Sequence, residues 1–188
     1  MVRLENNMIH FITTAYGNNY IGLLLVNIES ILASHKNSIV TVYWQDIEDD
    51  KIDGLKKTYK NVEFIRTNIN FGSNPKKRIS SKIILWNKAV ADTDSQNICL
   101  LDSDTLVRKE ILHYYEFDFD VGFTYKDEKF PLNTGVMLIK KSKSSKIFMN
   151  QWKNSTLNII NDDQKLDKAC SVNYPYGGAD QMSFYQII

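Results

Sequence analysis

The chain of 188 residues is the size of one domain, and with 43% hydrophobic and 24% charged side chains it has too much apolar surface to stay disordered. Twenty-three basic against 22 acidic residues give a formal charge of +1, without the basic surplus of a dedicated nucleic-acid binder. Two cysteines are too few for a disulfide framework or a closed cysteine zinc site.

No basic start followed by a long apolar run opens the chain, and the apolar stretch Ile21 to Val26 is far too short to span a bilayer. The expectation is a cytoplasmic protein with no secretory leader and no transmembrane segment. Ile9 to Thr14 is β-rich and reads as the first strand. Residues 18 to 36 change period: Ile21, Leu24, Leu25, Ile28 and Leu32 fall on one helical face, and Asn18 or Asn19 is placed to cap it. Ser38 to Trp44 is a second strand, Glu48 to Lys60 a polar amphipathic helix, and Val62 to Arg66 a third strand. Phe71 to Lys77 reads as a loop marked by Gly72 and Pro75. The next helix puts Ile79, Ile83, Trp86 and Val90 on one face. Asn97 to Leu101 is then a short apolar strand of the kind buried on both faces of a parallel sheet. Cys99, inside that run, reads as a buried small hydrophobe.

The first hundred residues therefore alternate β-α-β-α-β-α-β, which predicts an α/β fold with a mostly parallel, Rossmann-like central sheet flanked by helices. Ligands of such sheets bind outside the carboxyl ends of the strands, here Thr13 to Tyr16 and Asp102 to Asp104. The second half is less regular: strands over Asp120–Tyr125 and Val136–Ile139, a long helix over Ser144–Ile160, a Gly177-Gly178 loop, and a helix from Ala179 to Ile188. The exposed-looking aromatics Tyr114, Tyr115, Phe117, Phe119, Tyr174 and Tyr176 are read either as a binding groove or interface, or as core of this half.

Three segments carry chemistry. Leu100-Leu101-Asp102-Ser103-Asp104 delivers two carboxylates, two residues apart, at the end of an apolar strand. Two acids so close repel, and a hard divalent cation resolves that repulsion while keeping positions open for phosphate oxygens; the bland alternative is a turn with solvated acids. Pro131 to Ile139 is a polar turn running into an apolar strand, with Asn133 supplying donors and acceptors and Gly135 allowing close approach. Gly177-Gly178-Ala179-Asp180-Gln181 opens a helix, and Asp180 there is first of all a favourable N-terminal cap.

Taken in order, the Asp-Ser-Asp triplet, Asn-Thr-Gly-Val-Met-Leu-Ile and Asp-Gln at a helix start resemble the GT-A nucleotide-diphospho-sugar transferases, family 8 in particular. Phe11-Ile12-Thr13-Thr14-Ala15-Tyr16 resembles that family's first strand and nucleotide loop, so the likeness runs over about residues 9 to 186. The resemblance implies a single GT-A-like domain over 1–188, with 1–106 the nucleotide-sugar half and 107–188 an acceptor half that stops short of the family's C-terminal portion. It implies Mn²⁺ or Mg²⁺ on Asp102 and Asp104, and a nucleotide-sugar donor, a UDP-sugar, over Thr13, Thr14, Ala15, Tyr16, Arg78, Lys82, Asp102, Ser103, Asn133, Thr134 and Gly135. Asp180 and Gln181 would act near the anomeric carbon. For Lys82 the alternative is a solvated helix face. The resemblance also implies an acceptor that is a glycan, a lipid-linked sugar or a protein.

One departure stands out. The family pattern has a histidine metal ligand in a C-terminal segment, whereas His10, His35 and His113 all precede Asp180. Two other readings stay open. One is a glycosyltransferase-like domain that binds nucleotide or glycan without catalysis. The other is a haloacid-dehalogenase-type phosphatase, whose Asp-x-Asp supplies a nucleophile and a general acid/base.

Overall fold

The computed structural model describes residues 8–69, 74–125, 127, 131–171 and 177–188. Six strands form one sheet: β1 (Ile9–Tyr16), β2 (Ser38–Gln45), β3 (Val62–Arg66), β4 (Asn97–Asp102), β5 (Val121–Tyr125) and β6 (Leu132–Lys140). Their order is β3-β2-β1-β4-β6-β5, with β3, β2, β1 and β4 mutually parallel and β6 antiparallel to β4. The α/β expectation holds: the sheet is mostly parallel and its connections are helical.

The chain groups into two compact units, residues 1–68 with 94–122 and 135–141, and residues 69–93 with 123–134 and 142–188. In the first, helix α1 (Ile21–Ser34) buries Leu24, Ile28 and Ile31, and α2 (Asp49–Thr58) buries Ile52 and Leu55. These meet Phe11, Val40, Val42, Trp44, Cys99 and Leu101 in one apolar cluster. Removing such side chains from water, at about 25 cal/mol per Å² of apolar surface, is what holds helix to sheet. Cys99 is fully buried, and burial pushes its thiol far up.

Neither Asn18 nor Asn19 caps α1. A 3-10 turn, Asn18–Tyr20, precedes that helix, and the Asn18 side chain instead bonds across to the start of α2: its amide donates to Glu48 Oε1 at 2.7 Å and its oxygen accepts from Glu48 N at 3.0 Å. The segment after β4 is strapped along α1. Asn27 donates to Thr105 O at 2.8 Å, Val107 N donates to Ser30 Oγ at 3.0 Å, and Ile111 N donates to His35 Nε2 at 2.9 Å. These polar side chains, two on α1 and one at its C-cap, satisfy the backbone of an irregular segment, which otherwise would carry unpaired groups.

The second unit is built on helices α3 (Pro75–Ser80), α4 (Lys82–Asp92), α5 (Lys143–Ile160), α6 (Asp163–Ala169) and α7 (Ala179–Ile187). Its centre is aromatic: Phe184 stacks edge-on at 5.1 Å from Trp152 and 5.2 Å from Phe123, and Trp86 lies 6.3 Å from Trp152. The expected single helix over 79–90 is two helices, broken at Ser81. Ile79 is exposed and Ser80 takes the buried position. Of the expected loop 71–77, Phe71, Gly72 and Ser73 lie outside the described residues; Asn74 caps α3 and Pro75 is its first residue. Proline suits that position because its missing N–H has no partner there anyway. Asn133, Thr134 and Gly135 belong to β6 itself and not to a turn before it. Along α5, Ile147 is half exposed, while Met149, Trp152 and Ile160 are buried. Among the aromatics, Tyr115 is buried and Phe119 packs on the core of the first unit, Tyr114 and Phe117 are exposed, and Tyr174 and Tyr176 lie outside the described residues.

Candidate functional site

In the first unit the carboxyl edge of the sheet is the place to look. β1 lies between β2 and β4, and the chain leaves it in both directions, so the crevice between the ends of β1 and β4 is the topological switch point where open α/β sheets take ligands. The register there pairs Thr13 with Leu101 and Thr14 with Asp102. The structure thus brings Thr13–Tyr16 beside Asp102–Asp104, on neighbouring parallel strands. Thr13, Thr14 and Ala15 are buried and Tyr16 is half-buried. Thr13 Oγ1 is a buried hydroxyl without a hydrogen-bond partner among the described residues. Gly17, at φ 82, turns the chain out of β1, and its N–H donates to Gln45 O at 2.9 Å.

The β4 strand ends in a tight turn in which Thr105 N donates to Asp102 O at 3.1 Å. Asp102 is half-buried, Ser103 buried and Asp104 exposed. That donor set fits a hard divalent cation: two carboxylates on one turn, with coordination positions left for diphosphate oxygens and water. Among the described residues no group of three histidine, cysteine, aspartate or glutamate side chains gathers to form a closed metal site. The carboxylate pair closes the fourth strand, not the first. Just beyond it, a cavity of about 750 Å³ is lined by Leu101, Thr105, Leu106, Arg108, Tyr114 and Val136.

The second unit holds a different cluster. Lys82, at the start of α4, and Asp180, in the first turn of α7, form a buried ion pair: Nζ to Oδ2 is 3.1 Å, with side chains only 7% and 5% exposed. Thr134, from β6, donates its hydroxyl to the same Oδ2 at 2.8 Å. Lys82 is not on a solvated face. Asp180 is an acid in the first turn of α7, where the helix dipole favours it, but the N-cap itself is Gly178 with no side-chain bond. Lys82 also lies 4.9 Å over the Trp86 ring.

The backbone around Asp180 is pinned as well. Trp152 Nε1 donates to Asp180 O at 2.9 Å, Ser183 Oγ donates to the same carbonyl at 2.9 Å, and Ala179 N donates to Ser80 Oγ at 3.1 Å. Gly177 and Gly178 both have positive φ, and a Cβ on Gly178 would sit 2.7 Å from Asp180 Oδ1. A Cβ on Gly177 would meet Gln181 Nε2 at the same 2.7 Å, so the half-buried Gln181 amide folds back over the loop. Arg78 is half-buried on α3, and Asn133 O accepts from Thr124 Oγ1 at 3.1 Å. Cys170 is a half-buried thiol pushed up chiefly by burial, which argues against a reactive role.

Ser80, Trp152 and Ser183 were not singled out from sequence. For Ser80 a signal existed: a Ser-Ser pair amid an apolar helical face marks a break. The Trp152 and Ser183 bonds have no sequence signature.

No family model matches the chain, and no curated protein matches it. Among solved structures it resembles the glycosyltransferase GlyE of Streptococcus pneumoniae TIGR4, with a TM-score of 0.65 at 15% identity over 96% of this chain and 43% of that one. It also resembles galactosyltransferase LgtC solved with donor and acceptor sugar analogs, with a TM-score of 0.57 at 19% identity over 93% of this chain and 70% of that one. An active-site mutant of LgtC gives a TM-score of 0.60 at 17% identity. The fold is that of the GT-A glycosyltransferases. At these identities the likeness is one of fold, and the chain spans less than half the length of the GlyE structure. Among the described residues of this GT-A fold, no helix is long and apolar enough to cross a membrane.

Proposed function

We propose that this chain is a glycosyltransferase that moves a sugar from a nucleotide diphospho-sugar, a UDP-sugar, to a glycan, lipid-linked sugar or protein acceptor. The observation that carries the reading is the Asp102-Ser103-Asp104 turn closing β4 beside Thr14 at the switch point of a GT-A sheet. In this reading residues 1–106 form the nucleotide-sugar half and 107–188 the acceptor half.

Asp102 and Asp104 would hold Mn²⁺ or Mg²⁺ on their carboxylate oxygens, with Asp104 the direct ligand. When bound, the ion offsets the negative charge that grows on the departing diphosphate. Thr13 to Tyr16 would line the nucleoside, and Arg78 and Lys82 would add positive charge towards the diphosphate or sugar. Asn133 and Gly135 would face the sugar, with Thr134 between them. Asp180 and Gln181 would stabilise the oxocarbenium-like sugar with carboxylate and amide oxygens as its bond to phosphate breaks.

The test is turnover. UDP release from UDP-glucose and UDP-galactose is measured with Mn²⁺ present, for the wild type and for Asp180→Ala. The reading predicts release by the wild type, and donor binding without release by the variant. Binding of UDP with metal and no turnover by the wild type would make the chain a nucleotide-binding domain. A covalent aspartyl-phosphate would make it a phosphatase. Full turnover by Asp180→Ala would remove that residue from the chemistry.

A further inference from the structure

Asp180 is held asymmetrically. Lys82 Nζ at 3.1 Å and the Thr134 hydroxyl at 2.8 Å converge on a single oxygen, Oδ2. The other oxygen, Oδ1, lies towards Gly178, where a Cβ would approach to 2.7 Å and is absent. The main chain of Asp180 is fixed by Trp152 Nε1 and Ser183 Oγ on its carbonyl. What remains to be set is the rotation of the carboxylate.

Lys82 is poorly suited to set it. An ammonium is a compact charge with three rotatable donors on a four-carbon stem, so it neutralises a carboxylate without dictating its plane. Thr134 is suited. Its side chain is β-branched, stiff at χ1, carried on a strand, and only 1% exposed, so its hydroxyl is committed to Asp180. We infer that Thr134 is a positioning residue: it fixes the Asp180 carboxylate so that Oδ1 keeps one direction, while Lys82 balances the charge. The role rests on the transferase reading given above. It differs from contact with the sugar, because the Thr134 hydroxyl is committed to Asp180 Oδ2.

The experiment compares Thr134→Val, which swaps hydroxyl for methyl at equal volume, with Thr134→Ser, which keeps the hydroxyl. Two readouts are taken on each intact chain. The first is the ¹³C carboxyl resonance of Asp180 without any ligand. The second is UDP release from the UDP-sugar that the wild type turns over, with Mn²⁺. The inference predicts that Thr134→Val moves the resonance and lowers kcat about 10- to 100-fold at unchanged KM, because a misplaced group costs that much. Thr134→Ser should recover both. Unchanged resonance or kcat in Thr134→Val overturns the inference, as does a Thr134→Ser variant no better than Thr134→Val, which would leave the methyl packing as the reason. If the wild type binds UDP with metal but turns nothing over, the transferase reading fails on its own; the resonance then decides alone whether Thr134 orients Asp180.

Discussion

The Lys82–Asp180 pair gives the sharpest energetic prediction. At 3.1 Å, an effective dielectric of about 20 gives an attraction of about 5 kcal/mol. Taking both ions out of water costs several kcal/mol each, so the pair as a whole adds little net stability. Removing one partner is another matter, because a charge is then buried without compensation, at about 3–5 kcal/mol. Lys82→Met keeps the stem packed on Trp86, and Asp180→Asn keeps an acceptor for the Thr134 hydroxyl. Each single variant should lose about 3–5 kcal/mol, and the double variant should lose less than about 2, a coupling that non-interacting sites never show. The assay is urea unfolding at neutral pH on all four proteins, with the slope of the transition checked for constancy. Single losses under about 1 kcal/mol that simply add would refute the buried pair and the site built on it.

Three further outcomes follow from the contacts. His10 accepts or donates a bond with Thr41 Oγ1 at 2.8 Å, and burial holds its pKa down at about 4, against the opposing pull of Glu63. Its folded pKa lies below the unfolded 6.5, so the unfolded chain binds the extra proton and stability falls as pH drops from about 7 to 4, by up to about 3 kcal/mol. Urea midpoints at pH 7 and 4.5 should therefore differ more for the wild type than for His10→Gln, and equal differences would contradict the shift. Trp152→Ala empties a fully buried site against Phe184 and Trp86 and removes one of the two side-chain bonds to the Asp180 carbonyl, at about 3–5 kcal/mol by denaturant unfolding; a loss under about 1 kcal/mol would contradict the packing. Ser142→Ala removes one half of the capping box that starts α5, and a loss of about 1 kcal/mol should be measured, against no loss if the cap is idle.

The parallel half of the fold was legible because its strands are short apolar runs and its helices switch cleanly from period 2 to period 3.6. Ser38–Gln45 and Asn97–Asp102 lie within a residue of where those runs place them. Errors came where local pattern and tertiary burial part ways. Ile79 sits on a face that helical spacing marks as inner, yet it is exposed, since spacing says which residues share a face and not whether anything covers it. Helix α6, Asp-Gln-Lys-Leu-Asp-Lys-Ala, was missed because one buried leucine and one alanine make too faint a stripe. Asn18 looked like a cap and is spent on Glu48, a partner 30 residues away.

The candidate site divides the same way. Thr13–Tyr16 and Asp102–Asp104 were found as motifs, and the β1–β4 register places them together. Asp180 was found too, but its environment was not. A capping aspartate and a buried, ion-paired aspartate read identically in a sequence, and only Lys82 and Thr134, brought from α4 and β6, tell them apart. Ser80 escaped for the same reason: its partner is the backbone of Ala179, 99 residues on.

The most direct test of the central claim is a thermal-shift series with UDP, with and without Mn²⁺, on the wild type and Asp104→Asn. A ligand at a hundred times its Kd adds about 2.7 kcal/mol, which raises Tm by roughly 5–10 °C for a chain of this size. The account predicts a rise of that order for the wild type only when UDP and Mn²⁺ are both present, and none for Asp104→Asn. An equal, metal-dependent rise in Asp104→Asn, or no rise in the wild type with UDP and Mn²⁺ together, would contradict it.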